Sequence, residues 1–272
     1  MSQKIYNTSL ILLLIYLITG IFLSLNAGIS HDEYHEQLNW EINLKAIKNF
    51  YQTGYYKDLL EYKDRYHGIG FNFLSQPFQY LIKDFLLSYL DINEYGSILI
   101  AKHPVIFILF FISSLFFYKI CIIFFNNKNF ALISLFIYLL YPYFLGHSFI
   151  NPKDIPFLSF WVISTYVLCK ILKKLYKEEP VPIKYIVYIS ISTSFLISIR
   201  IVGFLILLQF LIFIITFNEI KNKSFFNLIK NNIKNLFILL FTLVLFLYLL
   251  NPIFWHDPKE IVNSLKWMSK YQ

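Results

Sequence analysis

Blocks of about twenty predominantly apolar residues recur along this chain of 272 residues, and they constrain its fold more than any motif does. A hydrocarbon core of ~30 Å takes ~20 residues to cross as a helix. Backbone polar groups in lipid must be satisfied within their own segment, so such blocks become helices. A β-barrel would show short segments of alternating hydrophobicity instead. Composition agrees: 57% of residues are hydrophobic, 20% are aromatic and the mean hydropathy is +0.57. A soluble domain has about 45–50% apolar residues. The fold class expected is therefore all-α, a polytopic membrane protein.

Seven membrane helices are expected, at roughly 9–28, 103–125, 130–148, 155–172, 184–199, 201–217 and 235–251. Arg200 interrupts an apolar stretch that as one helix, 184–217, would be about 50 Å long. A tight hairpin with Arg200 at its tip fits one bilayer better. The first block lacks a small-residue cleavage site and reads as an uncleaved helix. Cys121 and Cys169 fall inside predicted helices and read as apolar fillers, with neither disulfide nor metal spacing.

Orientation follows from the lysines. With the N-terminus inside, the inner segments hold Lys4, Lys119, Lys128, Lys170, Lys173, Lys174, Lys177, Lys184, Lys221, Lys223, Lys230 and Lys234. Only Glu178, Glu179 and Glu219 accompany them. This is the positive-inside pattern, and it accounts for the net charge of +8. No basic patch with a recognition fold is visible, which argues against a nucleic-acid partner. Residues 29–102 then form a long outer loop. Within it, 39–50 and 71–90 carry apolar residues at helical spacing and read as amphipathic helices on the membrane surface.

The unusual polar residues are all assigned to that outer side. The run His31-Asp32-Glu33-Tyr34-His35-Glu36 follows the first apolar block directly. Charge at a membrane boundary is costly unless solvated or used, so Asp32 and Glu33 are functional candidates. A solvated, acidic loop start is the plain alternative. His147 and the run Asn151-Pro152-Lys153-Asp154 link the third and fourth helices, Arg200 marks the hairpin, and His67 sits late in the long loop. His256 follows the seventh helix, where 252–272 begins an outer, helical-looking segment. Each has a structural reading too. Asp154 fits a helix cap with Pro156 in the first turn. Asn151-Pro152 and Asp257-Pro258 initiate turns. Lys153 can be simply solvated, Arg200 can snorkel, and the histidines fit no metal motif of standard spacing.

A first membrane helix opening into a loop that begins Asp32-Glu33 resembles the GT-C superfamily of membrane glycosyltransferases. More narrowly it resembles the dolichyl-phosphate-mannose protein mannosyltransferase-like group, glycosyltransferase family 39 and its bacterial relatives. The stretches Gly146 to Phe157, Ser198 to Gly203, and Asn251 to Trp255 are similar to the corresponding links of that group. The layout matches along essentially the whole chain, 1–272, as a single domain. The group usually has eleven or more membrane helices, so this chain is expected to be an N-terminal portion.

The resemblance implies inverting transfer of a sugar from a polyprenyl-phosphate donor to a hydroxyl of an acceptor protein, lipid or glycan. It would take place on the outer face of a membrane such as the bacterial inner membrane. Asp32 is then the general base and Glu33 orients the acceptor or the base. Lys153 and Arg200 meet the phosphate, and His67, His147, Asp154 and His256 contribute binding contacts. No cofactor is firmly implied, though a divalent metal is compatible. A non-catalytic membrane subunit and a lipid-linked-sugar transporter are the competing readings. A transporter would place its polar residues near the bilayer midplane, often in inverted repeats, and the sequence shows neither.

Overall fold

The computed structural model of the chain describes residues 3–54, 56–89, 92–221 and 225–268, and among them it contains no strand. The helices are α1 (Gln3–Leu25), α2 (His31–Thr53), α3 (Lys57–Glu61), α4 (Gly70–Tyr89), α5 (Glu94–Phe125), α6 (Lys128–Leu140) and α7 (Pro142–Ser148). They continue as α8 (Asp154–Tyr176), α9 (Ile183–Ile199), α10 (Leu205–Lys221), α11 (Phe225–Asn231), α12 (Ile233–Leu250) and α13 (Glu260–Met268). Short 3-10 turns, Ile201–Phe204 and Pro252–Trp255, precede α10 and follow α12.

Every apolar block is helical, but seven full crossings are not what results. Five helices are long and apolar enough to span a membrane: Tyr6–Leu25, Glu94–Phe125, Asp154–Tyr176, Ile201–Lys221 and Ile233–Leu250. The expected third span is bent by 58° between α6 and α7 and makes a sixth only if the pair counts as one. The cause is Pro142, which disfavours helical backbone at the residue before it. Tyr141 accordingly sits at φ −60, ψ 118. The expected fifth span, α9, has 17 residues, or about 26 Å at the helical rise.

The break at Arg200 falls where the sequence puts it. Arg200 is extended at φ −142, ψ 128, between α9 and the 3-10 turn. A side chain at Gly203 would lie 2.8 Å from the Leu196 carbonyl oxygen and 2.9 Å from the Ile197 nitrogen. Residues seven apart on a straight helix are about 10 Å apart, so the chain doubles back onto the last turn of α9. Only a residue without Cβ allows that approach.

The chain divides into two compact units, Met1–Glu41 with Phe71–Val162, and Ile42–Gly70 with Ile163–Gln272. In the first, α1 and α6 pack on α5. The Tyr16 and Phe107 rings stand 5.6 Å apart and the Tyr16 hydroxyl donates to the Leu139 carbonyl at 2.9 Å. Along α1 the opposite face is apolar and exposed, with Leu10, Ile11, Leu14, Ile18 and Phe22. An apolar face of that extent requires hydrocarbon or a protein partner.

In the second unit α9 packs along α12. Ser190 and Ser194 are one turn apart on α9, and their hydroxyls donate to the Leu239 and Leu243 carbonyls, both at 3.1 Å. Small residues at i and i+4 let two helices approach closely in lipid, where shape fit rather than hydrophobic exclusion drives association. The Ser164–Ser192 bond of 2.9 Å and the Gln209–Thr165 bond of 3.0 Å join α8 to α9 and α10.

Candidate functional site

The acidic run is the first turn of α2 rather than a loop. Ser30 and Glu33 make the carboxylate half of a capping box: the Ser30 backbone N–H donates to Glu33 Oε1 at 2.6 Å. The Ser-x-x-Glu spacing was legible in the sequence as a helix start, and it gives Glu33 a structural task. Carboxylates in a first turn also suit the positive end of the helix dipole.

Adjacent residues on a helix point about 100° apart, and this separates the two candidate acids. Asp32 is exposed, whereas Glu33 is 2% exposed. The stripe Glu33, Glu36, Gln37 and Trp40 is buried. It has the i, i+3, i+4, i+7 spacing of a core-facing stripe, occupied mainly by polar residues. On α4 the same spacing buries Asn72, Ser75, Gln76 and Gln79 while Phe78, Leu81 and Phe85 are exposed. The two helices are amphipathic, as the sequence suggests, but in this unit their polar stripes face inward. The exposed apolar face of α4 suits a helix lying in the membrane interface.

What receives those stripes is a pair of ionisable residues on α5. His103 has no exposed surface; its Nε2 lies 2.7 Å from Glu33 Oε2 and its Nδ1 3.0 Å from the Ser24 carbonyl oxygen. A carbonyl only accepts, so Nδ1 carries hydrogen. The remaining line, Nε2 to Oε2, then holds one proton shared between ring and carboxyl. His103 thereby ties the end of α1 to the start of α2. The adjacent Lys102 is 2% exposed and donates to Asn72 Oδ1 at 2.8 Å and to Gln37 Oε1 at 3.3 Å. Gln79 completes the link from α4 to α5 by donating to the Ile98 carbonyl at 3.1 Å. A buried charge is tolerated where it is paired and hydrogen-bonded.

Lys153 joins the same network. Its ammonium lies 2.6 Å from Glu36 Oε1, with both side chains mostly buried. The link before α8 is organised by Asn151. Its carbonyl oxygen accepts from the Lys153 and Asp154 backbone N–H groups at 3.0 and 2.7 Å. Its amide reaches Asp154 Oδ2 at 3.0 Å and His147 Nδ1 at 3.1 Å. Asp154 therefore lies in the first turn of α8, and Asn151 does the capping expected of Asp154.

The first unit thus brings Glu33, Lys153, Asp154 and His147 into one region of polar contacts around α2, α5 and the 147–154 link. It adds Glu36, Gln37, Asn72, Lys102, His103 and Asn151, which sequence reasoning left out of the site. The missed signal was the pair Lys102-His103. The span was expected to begin at 103, so these residues read as its flank, whereas α5 starts at Glu94. An ionisable pair nine residues inside a helix of this apolarity is itself a functional pointer.

His67, Arg200 and His256 belong to the second unit. The His67 ring meets Trp267 at 5.3 Å and His256 meets Tyr56 at 6.5 Å, both edge-on. The Tyr56 hydroxyl donates to the Pro252 carbonyl at 3.1 Å, and burial pushes this phenol up to about 12. Tyr66 is raised as well, by burial and then by its bond to Glu260. Asn251 donates to Ser198 Oγ at 2.8 Å. Arg65, His67, Gly68 and Asn251 help line a cavity of about 20 Å³, room for one water.

Comparison of the chain with protein-family models, with curated proteins and with solved structures found no match.

Proposed function

We propose that the chain is a membrane glycosyltransferase that takes a sugar from a polyprenyl-phosphate carrier and passes it, with inversion, to an acceptor hydroxyl. The observation that carries this reading is the first turn of α2, held by buried partners and presenting Asp32 outward. Glu33 is fixed by His103 and by the Ser30 N–H, and Glu36 by Lys153. Catalysis by a general base gains from such rigidity, because the base must stay within hydrogen-bond reach of the proton it removes.

In the reaction the acceptor oxygen attacks the anomeric carbon, the carbon–oxygen bond to the carrier phosphate breaks, and Asp32 takes the hydroxyl proton. Glu33 acts as a positioning residue for that turn. Fixed cations stabilise the charge growing on the leaving phosphate. Lys153 and Arg200 are the candidate cations, and a guanidinium can hold phosphate by two parallel bonds. His67, His147, Asp154 and His256 are left with sugar or headgroup contacts. Topologically the reading counts the bent α6–α7 pair and the short α9 as crossings. That gives seven, with the N-terminus cytoplasmic and the acidic turn on the opposite face of a bacterial inner membrane.

The pairing of both buried glutamates also suits a second reading, a non-catalytic subunit whose buried charges specify packing alone. Membranes containing the protein, supplied with radiolabelled polyprenyl-phosphate sugars, separate the two. Asp32→Asn is expected to lower transfer by about 10²–10⁴-fold, the usual worth of a general base, with unchanged insertion and thermal stability. Equal transfer by wild type and Asp32→Asn would remove Asp32 from the chemistry, and no transfer from any donor would favour the subunit.

A further inference from the structure

The second unit carries two adjoining cavities, one almost wholly apolar and one of mixed polar and apolar lining. One, of about 310 Å³, is walled by apolar side chains, among them Leu168, Ile189, Leu207, Ile214 and Leu236. The other, of about 720 Å³, is bordered by Glu178, Glu179, Phe217, Asn227 and Asn231. Leu175, Val181, Leu228 and Asn232 line both, so the apolar slot lies directly against the mixed mouth. We propose that this cleft is a specific site for an anionic glycerophospholipid, with an acyl chain in the slot and the phosphate headgroup at the mouth.

Charge selects the headgroup. The charged residues that line the mouth are Glu178 and Glu179, while the described residues of the segments 170–184 and 219–234 hold eight lysines against three glutamates. Of the glutamates that border it, Glu179 is paired with Lys174. The Lys221 ammonium stands 3.5 Å from the centre of the Tyr176 ring, where α8 and α10 end together. Clusters of this kind beside membrane helices attract anionic lipid. The lysine bias also assigns these ends to the cytoplasmic side, whose leaflet is rich in such lipid.

Depth selects the chain. On α10 the cleft runs from Phe217 at the mouth to Leu207 in the slot. Ten residues of helix rise ~15 Å, half of a ~30 Å hydrocarbon core. That is one leaflet, the reach of one acyl chain. A further transmembrane helix, ~10 Å wide and spanning both leaflets, is about twice the length of this slot. Asn218, beside Phe217, is buried at 4% exposure, and neither amide atom has a hydrogen-bond partner among the described residues. Such an amide is costly in an apolar setting, and Asn218 lies next in sequence to Phe217 without lining the cleft itself.

The test is native mass spectrometry of the full chain released from nanodiscs made of phosphatidylcholine with and without phosphatidylglycerol. Wild type is expected to retain one phosphatidylglycerol, with about tenfold preference over phosphatidylcholine, the scale of one to two lysine–phosphate contacts. Leu236→Trp and Leu211→Trp, at partly exposed wall positions, are expected to abolish retention while circular dichroism and melting stay near wild type. Lys177→Glu with Lys230→Glu is expected to erase the preference and keep the lipid. Retention unchanged in both tryptophan variants, equal retention of the two lipids by wild type, or displacement of phosphatidylglycerol by added polyprenyl phosphate would each overturn the proposal. So would a dimer that either tryptophan variant dissociates. None of these readouts depends on Asp32 or on sugar transfer.

Discussion

Glu33→Ala and His103→Ala are each expected to destabilise the protein by about 3–5 kcal/mol, the usual cost of leaving half of a buried pair. Both side chains are essentially inaccessible, and each is the other's partner at 2.7 Å. Glu33→Ala also removes the side-chain half of the capping box. His103→Ala also leaves the Ser24 carbonyl without its ring partner, loosening the end of α1. The two changes are in contact, so their effects are not additive. The double variant is expected to lose clearly less than the sum, because neither member of the buried pair is left facing a missing partner. Thermal unfolding of the four proteins in one detergent measures the cycle. Strict additivity would mean that the two side chains do not support each other. Glu33→Gln adds a reading of the shared proton. An amide can replace a carboxylic acid facing a neutral ring, but it strands an imidazolium. Stability near wild type would therefore assign the proton to Glu33, and a loss as large as that of Glu33→Ala would assign it to His103.

The second large effect is expected at Gly68. A Cβ there would lie 2.4 Å from the carbonyl oxygens of Ser198 and Ile199. Those atoms belong to the backbone at the end of α9, the turn that Arg200 terminates, and they have no flexible side chain to give way. Gly70 is similarly tight, 2.7 Å from the Ser198 Cβ. Gly68→Val is therefore expected to cost at least about 3 kcal/mol, the upper end for overpacking. It should also shift the Ser198–Asn251 bond. Gly146→Ala is the matched control. Nothing lies within 4 Å of its would-be Cβ and it sits inside α7, so a gain of about 0.5–1 kcal/mol is expected. Detergent melts read both, and a Gly68→Val protein as stable as wild type would contradict the close approach.

Much of the fold was legible because lipid leaves a chain few options. Each apolar block became a helix, the amphipathic stretches became α2 and α4, and the break fell at Arg200. The number of crossings was less legible. A block of nineteen mostly apolar residues at 130–148 reads as one span, yet Pro142 divides it by a local backbone effect that hydropathy does not register. The candidate site was legible only in part. Asp32 and Glu33 are neighbours in sequence, and only helix formation sends one outward and one inward. Lys102 and His103 looked like the flank of a span because the true start of α5, capped by Asn93, lies at its polar end.

The sequence by itself determined the all-helical, membrane-suited character of this protein, because backbone hydrogen bonding in an apolar medium is settled within each segment. It also determined where one helix breaks, at Arg200. Only the tertiary structure decided which charges are used and which are solvated. Glu33 meets His103 across 70 residues of chain and Glu36 meets Lys153 across 117. The state of a charge depends on partners and burial that no local pattern specifies.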